Sequence, residues 1–425
     1  MFAGMGRIIN AAFVLLILSF VALAGDTHSA CREPLGRAMK WPSQKVFFDA
    51  RKIETNYAGP GREDVAPNDI REVLIGYFGP GTASHPQGGD MWCAASLAIE
   101  QANRAGGYKG LPFRLVPGWS DNPWGTGVSK VVRMAYVDKV WAIIGGIDGP
   151  STHLAEQVVA KARLTLLNPG STDKTVNLAN VPWMFSCLPG DHLQAQILAQ
   201  AIASRIGQKP FILVSAVDHD SHLFTVELAG YLAQYKLAPS YQFEFEPKEK
   251  DFTELADIII ETKAHTLVLI AGAEQSAHII SAVRERNFAG AIFGGPWMGR
   301  RSFFEEAGEA VEGVIFPLLY IPRKESGFEE RFTSRFGYRP DYMAAHTYDA
   351  VNLLIAAVRQ AGLNRTRIRD AVRELSPWAG VTGAVRWDTL GSNGRAVQLG
   401  TVRAGRVVSV SEPYGPDEAT PRFSR

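Results

Sequence analysis

The chain has 425 residues, 46% of them hydrophobic and 20% charged, with 44 basic side chains against 43 acidic ones. That length exceeds what one hydrophobic core usually supports, so two lobes are expected, and the near-neutral balance argues against a nucleic-acid groove or a polybasic membrane face. Three cysteines, Cys31, Cys93 and Cys187, are too few for a disulfide framework and form no Cys-x-x-Cys pair. An extracytoplasmic compartment would allow a Cys93 to Cys187 bridge, but spacing does not support one.

At the start of the chain, Arg7 precedes an apolar run from Ile8 to Ala24 that ends in the small-residue site Ala22-Leu23-Ala24. This pattern predicts a cleaved export signal over residues 1–24 and a protein released to the periplasm; an uncleaved anchor is the alternative. Cys31 after Ser29-Ala30 resembles a lipoprotein site, but His28 stands where an aliphatic residue is usual. Residues 25–70 carry mixed charge with Pro42, Pro60, Gly61 and Pro67 and read as an extension, which either holds the body off a membrane or wraps on its surface.

From Glu72 strands and helices alternate. Val73 to Phe78 is a predicted strand, Asp90 to Arg104 a helix, Leu111 to Val116 a strand and Gly127 to Asp138 a helix. They are followed by strand Val140 to Ile144, a helix from about Thr152 to Ala162 and strand Leu164 to Leu167. A second, similar alternation runs from His192 to Phe293, and the tail adds helices near Phe328, Met343 and Arg367 and strands to Val410. The fold class is therefore α/β, with two doubly wound parallel-sheet lobes. Lobe one is expected over 71–189 plus about 320–400, lobe two over 190–319 plus about 401–412, and a tail over 413–425. A chain that visits the lobes in this order crosses between them more than once, so a multi-strand hinge with a cleft opposite is expected.

Two strand ends share one device. Trp141-Ala-Ile-Ile-Gly-Gly-Ile-Asp-Gly-Pro-Ser-Thr152 and Leu164-Thr-Leu-Leu-Asn-Pro-Gly-Ser-Thr-Asp173 each run from a buried strand into small hydroxylated residues. Helix N-termini carry unpaired N–H groups, so two such turns side by side would form a cup of donors for a carboxylate at the sheet's carboxyl edge.

Several strings, taken in order, resemble the type I periplasmic solute-binding proteins, in particular the branched-chain amino acid receptors that serve ABC importers. They are Leu74-Ile-Gly-Tyr-Phe-Gly-Pro80, Gly89-Asp90, Ile99-Glu-Gln-Ala-Asn-Arg-Ala-Gly-Gly-Tyr-Lys-Gly110, Val140-Trp-Ala-Ile-Ile-Gly-Gly146 and Asn168-Pro-Gly-Ser-Thr172, continued by Ala307-Gly-Glu-Ala-Val-Glu-Gly313, His346-Thr-Tyr-Asp-Ala350 and Gly380-Val-Thr-Gly383. The resemblance spans about Glu72 to Val410. It implies that the turn after Ile147, with Asp148, Gly149 and Ser151, and the segment Gly170-Ser171-Thr172 hold a ligand carboxylate. It also implies that Gln87 lies at the cleft mouth and that Asp218-His219-Asp220 and the loop carrying Trp297 close from the second lobe. His346 is a further candidate contact.

Amino acid receptors commonly place a carboxylate in that last loop, where this chain has Gly295-Pro296-Trp297. A buried ammonium without a partner is costly, so either Asp148 or Asp220 supplies the charge or the ligand lacks an ammonium and stacks on Trp297. The expected ligand is thus an amino acid, an organic or aromatic acid, or an amide, delivered to an ABC permease; the runner-up is a sensor of the same fold. There is no Gly-x-Ser-x-Gly, P-loop, zinc-protease or dinucleotide motif, and the nearness of Asp148, Ser151 and His153 in sequence is not triad geometry. No enzyme, cofactor or metal is expected, and no nucleic-acid partner.

Overall fold

In the computed structural model the described residues are 55–207 and 209–410. The expected signal segment, Cys31, most of the expected extension and the tail over 413–425 lie outside them. No helix among the described residues is long and apolar enough to cross a membrane.

The first lobe opens with Val73–Phe78 (β1), Gly89–Arg104 (α1), Phe113–Gly118 (β2), Val128–Tyr136 (α2), Ala142–Gly145 (β3), Gly149–Ala162 (α3), Thr165–Asn168 (β4), Thr175–Leu178 (α4) and Met184–Ser186 (β5). Its five strands form a parallel sheet in the order β2-β1-β3-β4-β5. Every residue of β3, β4 and β5 is buried, which is why these strands read as continuous apolar runs rather than as alternating ones.

The chain then crosses to Asp191–Ile206 (α5), Ile212–Ala216 (β6), His219–Gln234 (α6), Tyr241–Phe245 (β7), Thr253–Glu261 (α7), Thr266–Ile270 (β8), Ala273–Glu285 (α8), Ala291–Gly294 (β9), Arg301–Ala307 (α9) and Ile315–Leu318 (β10). It returns to the first lobe for Phe328–Phe336 (α10), Tyr342–Ala361 (α11), Arg365–Glu374 (α12) and the hairpin Trp378–Gly380 (β11) with Gly383–Val385 (β12). A third crossing brings Gln398–Arg403 (β13) and Arg406–Ser409 (β14) to the second sheet, whose order is β14-β13-β10-β9-β8-β6-β7. The strands from β6 to β10 are parallel to their neighbours, and β13 and β14 close the edge antiparallel.

Each sheet carries an apolar core on both faces. On one face of the first sheet, Ile75, Tyr77 and Ile144 pack with Ala94, Ala98, Val351 and Leu354 from α1 and α11; on the other, Ile143 and Leu166 meet Val131 and Leu154. The second sheet is sandwiched in the same way. The three crossings are tied to one another. Asn393, fully buried, donates its backbone N–H to Ser186 O at 3.0 Å and its Nδ2 to Cys187 O at 2.8 Å. Buried His346 Nε2 lies 3.1 Å from Leu319 O, which also accepts from Arg395 at 3.0 Å.

The α/β architecture expected from the alternation is the one observed, and the differences are local. α3 begins at Gly149, ahead of the expected start near Thr152, because Asp148 caps it: the carboxylate accepts from Ser151 N at 2.8 Å while Ser151 Oγ accepts from Asp148 N. α6 likewise begins at His219, where Asp218 accepts from Ser221 N at 3.0 Å. β5 has three residues and β10 contains Pro317, so neither gave a readable period. β13 pairs with β10 from Gln398, so the return to the second sheet precedes the boundary expected near residue 401. Of the expected extension, residues 55–69 lie against the first lobe: Thr55 N donates to Thr389 O at 2.7 Å, Arg62 pairs with Asp370 at 2.7 Å, and Asn364 Nδ2 donates to Gly61 O at 2.8 Å. Cys93 and Cys187 are buried and unbridged.

Candidate functional site

The two turns singled out in the sequence lie side by side at the carboxyl edge of the first sheet, since a side chain on Gly170 would run into Gly146 O and Ile147. Gly146 takes φ +80°, and a β-carbon there would strike Thr152, so glycine is what lets β3 turn directly into α3. Several donors of the cup are already partnered within the protein. Ser151 Oγ accepts from Ile147 N at 3.1 Å, and Asn168 Oδ1 accepts from both Gly170 N and Ser171 N at 2.9 Å. The expectation of unoccupied amides in the second turn is therefore corrected: Asn168, fully buried at the end of β4, takes them.

One amide reaches outside its lobe. Gly149 N, in the first turn of α3, donates to both carboxylate oxygens of Asp220, at 3.1 and 3.0 Å, from the first turn of α6 in the second lobe. Burial, followed by the neighbouring Asp148 carboxylate, pushes Asp220 up to about 8, and Asp173 and Asp218 act in the same direction. A carboxyl group clasped at a helix N-terminus is the interaction foreseen for a ligand, here made by the protein itself.

Beside it, His219 Nε2 of α6 lies 2.9 Å from Asp173 Oδ2, and His153 Nε2 of α3 approaches the same oxygen at 3.0 Å. Burial would raise Asp173, but hydrogen bonds from His153, Thr175 and His219 hold it down at about 2. Asp173 and then Glu156 raise His153 to about 9. Lys174 and Glu227 form a further ion pair across the same boundary. Ser151 is engaged with the backbone and His153 with Asp173, so these two and Asp148 form no triad.

The remaining candidates are more scattered. Thr172 is half-buried, its carbonyl accepting from Asp191 N at 2.8 Å at the start of α5 and its hydroxyl bonding the Asp191 carboxyl. Burial raises that carboxyl well above the usual range. Trp297 is half-buried edge-on to Phe224 at 5.9 Å, within the packing of the second lobe. His346 is fully buried at a crossing, and its expected ligand contact is corrected to a packing role; burial drives it down to about 3. Gln87 is exposed, and its carbonyl accepts from Arg300 at 2.9 Å.

That contact belongs to a second seam between the lobes, which the sequence did not reveal. Arg300, 6% exposed and just after Pro296–Gly299, pairs through Nε with Asp341, the cap of α11. Arg301 reaches Asp90 at 3.1 Å and lies 4.3 Å over the Tyr338 ring. Burial alone would raise Asp341, but the Arg300 guanidinium holds it low. His153, Asp173, Arg300 and Asp341 were all missed as site residues. Each lies within a few residues of a cap or turn that the sequence marks, but its partner is remote.

A family model described as periplasmic binding protein matches residues 72–408. An amino acid binding protein of Pseudomonas aeruginosa is 25% identical over 332 residues, covering 76% of this chain and 87% of its own length. A Leu/Ile/Val-binding protein homolog of Brucella abortus is 23% identical, covering 75% and 87%. A branched-chain amino acid transporter substrate binding protein from Streptococcus pneumoniae, solved with isoleucine, superposes with TM-score 0.72 at 20% identity over 80% of this chain and 100% of its own. A solute binding protein of an ABC transporter from Rhodopseudomonas palustris, solved with 3,4-dihydroxybenzoic acid, gives 0.71 at 14% identity, covering 80% and 97%. These are solute-binding proteins rather than enzymes, and the family implies an extracytoplasmic location. Two α/β lobes joined by three crossings, and a family match over most of the body, establish that the chain belongs to the type I periplasmic binding proteins.

Proposed function

We propose that this protein is the solute-binding component of an ABC importer and that it traps a small amino acid between its lobes for delivery to a membrane permease. The observation that carries the reading is the Gly149 to Asp220 bond: the first lobe offers a helix N-terminus suited to a carboxylate, and the second brings a carboxylate to it. A zwitterion resolves this pair in both directions. Its carboxylate replaces Asp220 on the Gly149 N–H, and its ammonium gives Asp220 the partner that Gly295-Pro296-Trp297 does not supply. Closure is then a population shift, because a ligand that touches both lobes favours the closed form by its extra contacts there. No covalent step is involved.

Calorimetry with a panel of amino acids and their counterparts lacking the amine tests this reading. An amino acid should bind tightest, and Asp220→Asn should weaken it by about 10- to 100-fold, the equivalent of about 1.4–2.7 kcal/mol. Tighter binding of an aromatic or aliphatic acid, undiminished by Asp220→Asn, would refute the proposed ligand class.

A further inference from the structure

We infer that His153, Asp173 and His219 form a site for a divalent transition metal, best matched to Zn2+, that bridges the two lobes and holds them together. Each of the three offers one ligand atom, and all three atoms lie within 4.8 Å of one another. Asp173 Oδ2 stands 3.0 Å from His153 Nε2 and 2.9 Å from His219 Nε2. Ligand atoms around a tetrahedral zinc with bonds of about 2.0–2.1 Å are separated by about 3.3 Å, so small side-chain rotations bring these atoms to a common centre. Two imidazoles and one carboxylate also form a donor set that zinc takes in preference to magnesium or calcium.

The surroundings of the three side chains orient them for this role. Asp173 Oδ1 accepts from Thr175 N at 2.7 Å and Thr175 Oγ1 at 2.6 Å, which leaves Oδ2 facing the imidazoles. Behind His153, Glu156 Oε2 lies 3.5 Å from Nδ1, and Glu156 is 3% exposed with Oε1 lacking a hydrogen-bond partner. Nε2 faces Asp173 Oδ2 and Thr175 Oγ1, at 3.0 and 2.9 Å, while the carboxyl group behind Nδ1 stands where metal-bound histidines are commonly held from. The side chains of His219 and His153 are 41% and 25% exposed, so an ion can enter from solvent and retain a water at its fourth position. Acidic groups crowd the same boundary, with Asp148 and Asp220 beside Gly149, which makes it attractive to a divalent cation.

His153 and Asp173 belong to the first lobe and His219 to the second, so the full ligand set exists only when the lobes are together. An ion that binds the closed form alone favours it in proportion to its concentration over its dissociation constant. The site is separate from the solute reading, because it needs no solute.

The test is titration of Zn2+ into the full protein, freed of metal and solute, with calorimetry, thermal unfolding and small-angle scattering as readouts. One Zn2+ per chain, a raised melting temperature and a smaller radius of gyration are expected, with no comparable response to Mg2+. His219→Gln and His153→Gln should each weaken Zn2+ binding about 10-fold or more. Both side chains are partly exposed, and His219→Gln should leave metal-free melting nearly unchanged. Failure to bind one equivalent, equal binding of Mg2+, or affinity unchanged in both variants would overturn the site. Binding without compaction would overturn the bridge.

Discussion

The two seams that join the lobes differ in how they balance charge. At the Arg300 seam the second lobe brings guanidinium groups to carboxylates that are already in use: Asp341 accepts from Met343 N and Ala344 N at 3.0 and 3.1 Å while it binds Arg300. At the Gly149 seam carboxylates gather around one helix N-terminus, and the balancing groups are two partly exposed histidines and Lys174. The first seam carries its own counter-charge and is buried, as a structural contact requires. The second is accessible and rich in acidic groups, so its charge is balanced from side chains that solvent also reaches.

The largest effect that would sharpen this contrast is expected from Asp341→Ala. It removes the cap of α11 and leaves Arg300 buried without its carboxylate, which should cost about 3–5 kcal/mol in urea unfolding. A loss below about 1 kcal/mol would mean that the arginine seam is no drier than the other.

The crossings between the seams should behave as buried structure too. His346 is held down at about 3, below its ordinary value of 6.5, by burial first and by Arg395 second. Between pH 6.5 and 3 the unfolded chain takes a proton that the folded one refuses, so this residue's contribution is present above pH 6.5 and is lost as pH falls toward 3. His346→Gln should therefore become more stable relative to the native chain on acidification, by about 3 kcal/mol at about pH 4. A difference that stays constant with pH would place His346 in contact with water.

The smallest effect is expected at the accessible seam. Lys174→Met removes a partly exposed pair with Glu227 and should change stability by no more than about 1 kcal/mol, diminishing with salt. A loss several times larger, insensitive to salt, would make the two seams alike.

The alternation of strands and helices was legible because burial on both sheet faces writes continuous apolar runs, as in Ala142–Gly145 and Thr165–Asn168, and because amphipathic helices write a period. The turns after them were legible through Gly146 and the capping residues Asp148 and Ser151, whose hydrogen bonds close within four residues. The hydrogen-bond traffic across the cup was not. Gly149 and Asp220 are 71 residues apart, Asp173 and His219 are 46, and Arg300 and Asp341 are 41.

Sequence alone thus determined the elements, their order, the family and the turns at the strand ends, since period, propensity and capping act within an element or its next turn. Tertiary structure decided that Asn168 rather than a guest takes the amides of Gly170 and Ser171, and that Asp220 takes that of Gly149. It also decided that two histidines from different lobes share one carboxylate. The reason is range: a hydrogen bond is made only within about 3 Å, and chain periodicity fixes a side chain's direction within its own element but not which remote element faces it.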